Sequence, residues 1–396
     1  MNILFLTKEY NHKKLPHSGG IGTFIKTLAA ELTQRGHKVY IFGSAKKNIT
    51  FDDNGVLVHF EKSFYRKKRF YELAKSLTKK INILHYQHQN VLDQERKYIA
   101  KRLKKFIAAN KLQIDIIEAH DYDGLFKFLA PMPFVVRCHG SAAFLNKHFD
   151  HPIDQFKIRG EHSAFEKAEH IVAVSSFAKT ANEKLFGKIG IRKIYNSIDP
   201  TQFIPDDSAV IKDSIFYFGT LSEKKGVKCL CNIFNEIYKK RPQTSLHIIG
   251  RNDSYWNYLK NEVLSPEARD SVTYYGAKPF PEIIDYLKKA ELFIFPTKGE
   301  TLGLVFIEAM ALEKPIIISD IQVSEEIIEH GEDGYIAKNN EDFITLALQL
   351  LEDKELGKSI GKKARKKVLE KFTLDRMTDE TLAYYQEVIA SYNTLK

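Results

Sequence analysis

The sequence predicts an α/β protein with two doubly wound, parallel-sheet domains that follow one another along the chain. Short apolar runs typical of buried strands recur throughout and alternate with helical patterns. A segment with two prolines and several turn-forming residues separates these strands into two sets. The length of 396 residues suits two domains that each have a core, and is large for one.

The first domain opens with a strand, a helix and a second strand, the order of a βαβ unit. We expect the first strand at residues 2–7, a long loop to about Gly20, and the helix at about residues 22–35. The remaining runs typical of buried strands occupy residues 38–42, 114–119, 134–138 and 170–174. This order predicts a mostly parallel sheet.

The second domain repeats the alternation. Its strand-like runs occupy residues 214–219, 245–250, 272–275, 292–295 and 315–319. We place the boundary near residue 205, so that the domains span residues 1–205 and 206–375, and we expect residues 376–396 to form a helix that packs back on the first domain. Parallel sheets bind ligands beyond the carboxyl ends of their strands, so two such domains facing one another would enclose a ligand cleft.

The positive charge of the chain is concentrated in one stretch. The formal net charge is +10, and residues 61–111 alone contain fifteen Lys and Arg residues against four Asp and Glu residues. Interleaved aromatic and aliphatic residues indicate a basic amphipathic surface that contacts an anionic membrane. The alternative is a solvated helical face that binds nothing. Nucleic acid is not expected as a partner, because no binding module for it accompanies the stretch.

The sequence indicates neither a membrane span nor a disulfide framework. It contains no apolar run of about 18 residues, and residues 2–7 meet charge too soon for a signal peptide. We therefore expect a cytoplasmic protein that is peripheral on the inner face of the membrane. Cys138, Cys229 and Cys231 form neither an even disulfide set nor a metal pattern, and are interpreted as small buried hydrophobic residues.

Two carboxylates flank a predicted helix start in the second domain. Glu300 follows the strand at residues 292–295, and Glu308 lies one to two turns into the next helix. The free amides of residues 301–304 would lie at the positive end of this helix, where they can hold a phosphate. The carboxylates can accept hydrogen bonds from sugar hydroxyls. A nucleotide sugar needs both kinds of contact, so this segment predicts its binding site.

Two glycine-bearing loops are further candidate phosphate sites. Gly19 and Gly20 precede the first helix, where glycine lets backbone amides come close to a phosphate, although the spacing is not the dinucleotide fingerprint. A simple turn is the alternative. In the loop after residues 214–219, Lys225 stands before a glycine and could neutralise a pyrophosphate leaving group. The alternative for Lys225 is a solvated charge.

His120 and His139 each lie at the end of a predicted strand in the first domain. Doubly wound folds place ligand groups at such strand ends. Histidine can donate to a sugar hydroxyl or assist proton movement near neutral pH. A structural histidine is the alternative for each, and their occurrence on adjacent strands favours the functional reading for His139.

The ordered set of these motifs resembles the family 4 glycosyltransferases, which are retaining enzymes of GT-B fold. The resemblance covers nearly the whole chain. It rests on Gly19-Gly20, Ala119-His120-Asp121, His139-Gly140, Asn196-Ser197-Ile198-Asp199, Gly219 with Lys225-Gly226, and Glu300 to Glu308 with Ala309. It implies two Rossmann-like domains that face a central cleft, the first binding the acceptor and the second a nucleoside diphosphate sugar.

The resemblance also implies roles for single residues. Glu300 would contact the donor sugar, Lys225 the pyrophosphate and Glu308 the ribose. His139 would lie beside the anomeric centre, which makes Glu300, His139 and Lys225 the expected catalytic set. The other expected donor-binding residues are Gly19, Gly20, His120, Gly219, Thr220, Leu302, Gly303 and Leu304.

Thr220 departs from the family pattern, which commonly has arginine after the glycine at this point. Threonine lacks the fixed charge and the bidentate fork of arginine. Either a neighbour such as Arg251 substitutes, or Lys225 and backbone amides hold the pyrophosphate with less charge. No metal is expected: Asp121 and Asp123 have the spacing of a metal-bridging pair, but the family does not use it so.

The sequence thus predicts a metal-independent, retaining transferase. It would move a sugar from a nucleoside diphosphate donor, with UDP-sugars favoured over GDP-sugars, to a hydroxyl of a lipid-linked or cell-envelope glycan, without a further cofactor. A GT-B nucleotide-sugar epimerase or a phosphorylase is the enzymatic alternative. A non-catalytic, membrane-associated partner of another glycosyltransferase is the alternative that Thr220 and the basic stretch raise.

Overall fold

The computed structural model describes residues 1–16, 18–63, 85–129 and 131–394. The chain forms two compact units. The first consists of Met1–Ile194 together with Thr378–Lys396, and the second of Tyr195–Met377. Each unit contains a sheet with helices, so the predicted α/β class with two parallel-sheet domains is confirmed.

A mostly parallel sheet runs through the first unit. In the described residues its strands are β1 (Asn2–Thr7), β2 (Lys38–Ala45), β3 (Ile49–Asp53), β4 (Val56–Lys62), β5 (Ile116–His120), β6 (Phe134–Cys138), β7 (Ile171–Ala173) and β8 (Arg192–Lys193). Their order is β3-β4-β2-β1-β5-β6-β7-β8, with β3 and β4 antiparallel at one edge. The helices are α1 (Gly20–Gln34), α2 (His85–Ala109), α3 (Ala142–Phe149), α4 (Gln155–Phe165) and α5 (Ser176–Phe186), with a 3₁₀ helix at Tyr122–Phe128.

The core of the first unit explains this arrangement. In β1, Ile3, Leu4, Phe5 and Leu6 are each at most 1% exposed. A strand that is apolar on both faces is stable only where both faces are covered, as in parallel sheets flanked by helices. Helix α1 supplies part of that cover with its buried residues, which recur at helical spacing: Phe24, Ile25, Leu28, Ala29 and Leu32.

The second unit has a parallel sheet of its own. Its strands in the described residues are β9 (Ser214–Phe218), β10 (Ser245–Ile249), β11 (Val272–Tyr274), β12 (Leu292–Phe295), β13 (Ile316–Ser319) and β14 (Tyr335–Ala337), in the order β11-β10-β9-β12-β13-β14. The helices are α6 (Val227–Lys240), α7 (Asp253–Glu262), α8 (Pro266–Arg269), α9 (Glu282–Leu287), α10 (Leu304–Ala311), α11 (Ser324–Ile327), α12 (Asn340–Glu352) and α13 (Lys354–Lys371). A short 3₁₀ helix spans Asp207–Ala209.

The change of unit falls between Ile194 and Tyr195, earlier than residue 205. The segment read as a linker is part of the second unit because it hydrogen-bonds there. The amide of Ile198 donates to the carbonyl of Phe372 at 3.1 Å, and Arg365 donates to the carbonyl of Phe203 at 2.6 Å.

The last helix, α14 (Leu374–Thr394), begins in the second unit and continues into the first. There the Tyr385 hydroxyl donates to Glu118 at 2.6 Å, and Glu118 also accepts from Arg137 at 2.8 Å. Arg137 donates in turn to the Thr381 hydroxyl at 3.0 Å. The end of the chain thus completes a buried polar cluster beneath β5 and β6.

Candidate active site

Two loops of the second unit pack against each other at the carboxyl end of its sheet, one after β9 and one between β12 and α10. The Lys298 amide and the Thr297 hydroxyl both donate to the Lys224 carbonyl, at 2.9 and 3.3 Å. At Gly226, where φ is 71°, a Cβ would lie 1.7 Å from the carbonyl oxygen of Pro296. Glycine is therefore required for this approach, which fixes the side chains of both loops.

Lys225 and Glu300 form an ion pair across these loops. Nζ of Lys225 lies 2.5 Å from Oε1 of Glu300, and the two side chains are 30% and 11% exposed. Both line a pocket of about 210 Å³. Its other lining residues are Tyr217, Phe218, Gly219, Thr220, Phe295, Thr297, Val305 and Phe306. The fold thus brings four of the predicted residues to one pocket: Gly219, Thr220, Lys225 and Glu300.

The first turn of α10 lines the same pocket through Val305 and Phe306. Gly303 is the N-cap residue with φ of 89°, and no side chain in the described part of the chain caps this helix end. First-turn amides have no acceptor within a helix and carry partial positive charge. Leu302 is buried, and Leu304 is half-buried at the helix start. The pocket is therefore bordered by amide donors as well as by the Lys225 cation.

Glu308 lies in the second turn of α10 and is half-buried. Burial raises the pKa of its carboxyl to about 8. A pKa in this range favours the protonated carboxyl at neutral pH. A protonated carboxyl can both donate to and accept from a hydroxyl. Its contact with a ribose stays a prediction.

Tyr217 is a pocket residue that the sequence analysis did not select. Its side chain is 2% exposed, and its hydroxyl donates to the Thr220 carbonyl at 3.3 Å. Thr220 itself is exposed at the rim. The Arg251 carbonyl accepts from the Leu221 amide at 3.0 Å, so Arg251 is next to this turn, although it is not among the lining residues of the pocket. Tyr217 was missed because it lies within the apolar run of β9.

In the first unit, β5 ends at His120, one residue beyond the predicted strand, and His139 directly follows β6. Nε2 of His120 accepts a hydrogen bond from the Lys8 amide at 3.1 Å. The ring of His139 lies edge-on to Phe24 with a centroid distance of 4.6 Å. Burial, and then the charge of Arg137, hold the pKa of His139 well below its usual value. Its imidazole is therefore neutral at neutral pH.

Two buried carboxylates hold the backbone around His139. Asp121 accepts from the amides of His139 and Gly140 at 3.2 and 3.0 Å. Glu161 accepts from the first two amides of α3, those of Ala142 and Ala143, at 2.9 and 2.8 Å. Both carboxylates are 0% exposed, and burial raises the pKa of Asp121 to about 6. Sequence reasoning used Asp121 as part of the Ala119-His120-Asp121 motif and weighed it as half of a metal pair, but did not predict this backbone contact, and it missed Glu161.

The glycine loop before α1 differs from the one before α10. The Gly19 amide donates to the Glu9 carboxylate at 2.8 Å. Around Gly20 there is open space, since a Cβ there would meet nothing within 4 Å. The tightly packed glycine is Gly22, where a Cβ would lie 2.5 Å from that of Ser18. Phosphate contacts by Gly19 and Gly20 stay predictions.

The basic stretch at residues 61–111 is described in part, because residues 64–84 lie outside the described residues. On α2, Lys97, Lys101, Lys104 and Lys105 are exposed at a spacing that puts them on one helix face. No described helix is both long and apolar enough to cross a membrane. Within the described ranges, no three His, Cys, Asp or Glu side chains are grouped as metal ligands.

Comparison with solved structures identifies the fold. Sucrose-phosphate synthase from Thermosynechococcus elongatus matches with a TM-score of 0.77 at 16% identity, over 98% of this chain and 99% of that chain. The Anabaena protein HepE in complex with UDP and glucose matches with a TM-score of 0.70 at 16% identity, over 98% and 100%. The fold is that of the GT-B glycosyltransferases.

Sequence comparison then gives the family. A model described as Glycosyltransferase Family 4 matches residues 18–202, and one described as Glycosyl transferases group 1 matches residues 204–367. An uncharacterized glycosyltransferase of Methanocaldococcus jannaschii is 24% identical over 98% of each chain. The chain belongs to the family 4 glycosyltransferases, as its motifs indicated.

Proposed function

We propose that this glycosyltransferase is a retaining, metal-independent enzyme that transfers a hexosyl group from a nucleoside diphosphate sugar to a hydroxyl of a lipid-linked or cell-envelope glycan. The observation that carries the proposal is the Lys225–Glu300 pair, 2.5 Å apart, in a pocket bordered by the uncapped start of α10. This arrangement offers a cation and amides to a diphosphate, and a carboxylate to the hydroxyls of a sugar.

In the proposed reaction the bond between the anomeric carbon and the donor phosphate oxygen breaks, and the diphosphate leaves. Lys225 and the first-turn amides of α10 stabilise the negative charge that develops on it. Lys225 then exchanges part of its contact with Glu300 for a phosphate oxygen. The acceptor oxygen bonds to the anomeric carbon from the face that the diphosphate leaves, and its proton passes to a phosphate oxygen. No protein nucleophile is required.

Glu300 and His139 have binding roles in this scheme. Glu300 accepts hydrogen bonds from the donor sugar and so holds the sugar in one orientation. Holding the reacting atoms in alignment lowers the activation barrier. The depressed pKa of His139 keeps its imidazole neutral, so it can exchange hydrogen bonds with a hydroxyl without adding a charge beside the anomeric centre. The complex of HepE with UDP and glucose supports a UDP-sugar as the donor proposed here.

The acceptor proposal is supported by charge. The exposed lysines of α2 form a basic row that attracts anionic lipid, at about 1 kcal/mol per well-placed cation. We therefore propose that the protein is peripheral on the cytoplasmic face of the membrane, where lipid-linked acceptors are accessible.

The test combines binding, turnover and product stereochemistry. Calorimetry against UDP-, GDP- and ADP-sugars identifies the donor class. Lys225→Met is expected to lower nucleoside diphosphate release about 10²- to 10³-fold. Lys298→Met is the matched control, because this lysine belongs to the same loops but is 62% exposed and pairs with Glu223. It should change turnover less than about threefold. NMR of the product should show the anomeric configuration of the donor.

Other outcomes would favour another function. If Lys225→Met were as active as wild type and Glu300→Gln were also active, the roles proposed for Lys225 and Glu300 would be wrong. Donor binding without release of nucleoside diphosphate in any acceptor mixture would favour the non-catalytic partner, to which the missing arginine at Thr220 points. Conversion of the donor sugar without an acceptor would identify an epimerase. A product with the inverted anomeric configuration would contradict the retaining mechanism, but not the proposed transfer or its donor site.

A further inference from the structure

A groove at the opposite edge of the first sheet from His139 has no part in the proposed reaction. It has a volume of about 440 Å³, within the range of about 300–1,000 Å³ typical of small-molecule sites. It is lined by Phe134 at the start of β6, by His170 just before β7, and by Val388 and Tyr392 of α14. These residues lie near the amino ends of the strands, whereas His139 follows the carboxyl end of β6.

The walls of the groove are largely apolar. Its apolar lining includes Phe126, Leu129, Met132 and Phe134, together with Val388 of α14. The Tyr392 hydroxyl donates to the Pro131 carbonyl, which connects the last helix to the loop before β6. This lining suits a hydrocarbon chain, because apolar surface removed from water there contributes about 25 cal/mol per Å².

Three lysines converge on one ring at the rim. The Nζ atoms of Lys97, Lys127 and Lys167 lie 5.2, 5.3 and 5.5 Å from the centroid of Phe128. Lys127 is paired with Asp93 at 2.6 Å. Lys97 and Lys167 are exposed, and within the described part of the chain no carboxylate forms an ion pair with either.

The charge balance at the rim favours an anion. Asp93 is engaged by two cations, since it pairs with Lys127 at 2.6 Å and with Arg96 at 2.8 Å. The exposed Glu169 also lines the groove. Among the described residues, Lys97 and Lys167 are the two cations at the Phe128 ring without an ion-pair partner.

We propose that this groove binds one anionic phospholipid. An acyl chain would lie along the apolar wall, and the phosphate would lie between Lys97 and Lys167, neither of which pairs with a carboxylate among the described residues. Lys97 also belongs to the exposed lysine row of α2, so the groove opens beside the surface proposed to contact the membrane. The origin of the lipid from a membrane rests on the function proposed above. The lipid site itself is inferred from the lining and the charges of the groove.

The experiment uses the full chain and short-chain lipids below their micelle concentration. Calorimetry should show one phosphatidylglycerol bound per chain, and at least about tenfold weaker binding of phosphatidylcholine with the same acyl chains. Lys167→Glu should weaken phosphatidylglycerol about tenfold or more, because it reverses a charge at the rim. Ser391→Trp, at an exposed position on the groove, should weaken both lipids by filling the space.

Lys104→Glu is the matched control, because it makes the same charge change on the exposed face of α2 but away from the groove. It should leave the binding of monomeric lipid unchanged. Equal weakening by Lys104→Glu and Lys167→Glu would overturn the proposal in favour of diffuse electrostatic attraction, as would full binding by Ser391→Trp. Nucleoside diphosphate binding should be unaffected in all three variants, which separates this site from the catalytic proposal.

Discussion

Two helix N-termini have equivalent positions in the two units but differ in the hydrogen bonding of their first-turn amides. Helix α3 follows β6 in the first unit, and α10 follows β12 in the second, each at the carboxyl edge of a parallel sheet. The first-turn amides of α3 already have acceptors, because Glu161 accepts from two of them and the Ser141 hydroxyl from a third at 3.0 Å. The start of α10 has no side-chain cap in the described residues and has Lys225 in the adjoining pocket.

The difference indicates that a helix start is available to an external anion only where the chain does not itself supply the acceptor. In the first unit the protein's own carboxylates satisfy the amides, and the strand end instead presents a side chain, His139, in a fixed position. In the second unit no described side chain caps the amides, which is why we propose that they bind the donor phosphate. The same supersecondary element positions a side chain in one unit and is proposed to bind a ligand in the other.

The largest change in stability is expected when α3 loses the carboxylate that accepts from its first amides. Glu161→Ala leaves two buried amides without their acceptor and should lower the free energy of unfolding of the first unit by about 3 kcal/mol. Glu161→Gln keeps one carbonyl oxygen and should lose about half as much. Differential scanning calorimetry measures both. The comparison also predicts that sulfate stabilises Glu161→Ala more than wild type, because the freed amides can then donate hydrogen bonds to the anion.

If sulfate raised the unfolding temperature of both proteins equally, Glu161 would not be acting in place of a bound anion. Loss of donor turnover with unchanged donor affinity in Glu161→Gln would further indicate that the turn holding His139 is displaced, since a general loss of folded protein would lower the bound fraction as well.

A smaller, pH-dependent effect is expected in α10 itself. The folded-state pKa of Glu308, about 8, is above its value in an unfolded chain, about 4.3. The folded state therefore binds more protons between these values, and stability falls as pH rises through this window. Glu308→Gln removes the titration, so its stability relative to wild type should rise between about pH 4 and about pH 8, by at most about 1.4 kcal/mol per pH unit.

Thermal unfolding across that pH range measures the difference between the two proteins. Glu262→Gln, an exposed carboxyl on α7, is the control and should stay parallel to wild type. A constant gap between Glu308→Gln and wild type at all pH values would mean that the carboxyl is ionised in the folded chain.

The smallest effect is expected at the rim of the pocket. Thr220→Arg adds the charge and fork that this position lacks and should tighten UDP binding about three- to tenfold. Gln243→Arg adds the same charge at an exposed site just before β10, at the other edge of the second sheet, and should not change UDP affinity. Calorimetry with both variants decides whether the added arginine acts locally. No gain for Thr220→Arg would indicate that a neighbour already supplies this contact.

The strands were predictable because a strand buried on both faces requires a continuous apolar run, and β1, β9 and β12 each have one. The β3–β4 hairpin was missed, although Asn54-Gly55 between two short runs is a strong hairpin signal. Its strands carry polar residues on the exposed face and do not stand out by hydrophobicity. The compact units change between Ile194 and Tyr195, whereas the boundary near residue 205 was chosen from turn-forming residues, which indicate an irregular path but not which unit it packs on.

At the candidate site, Lys225 and Glu300 could be selected because a charged group in a loop after a buried strand has few structural reasons to be there. Tyr217 could not, since an aromatic residue in an apolar strand reads as core. Glu161 had no sequence signal either: a carboxylate on a helix acts as a helix cap for another element only through tertiary packing. Such acceptors can be identified only from a structure that shows which amides donate to them.

The course of α14 has a consequence for synthesis of the chain. The first unit is built from two stretches of sequence, one before and one after the second unit, whereas the second unit is continuous in sequence. Glu118 and Arg137, which are buried in the first unit, can contact the Tyr385 and Thr381 hydroxyls only after the whole of Tyr195–Met377 has been synthesised. Tyr195–Met377 is therefore available as a complete folding unit before the first unit is.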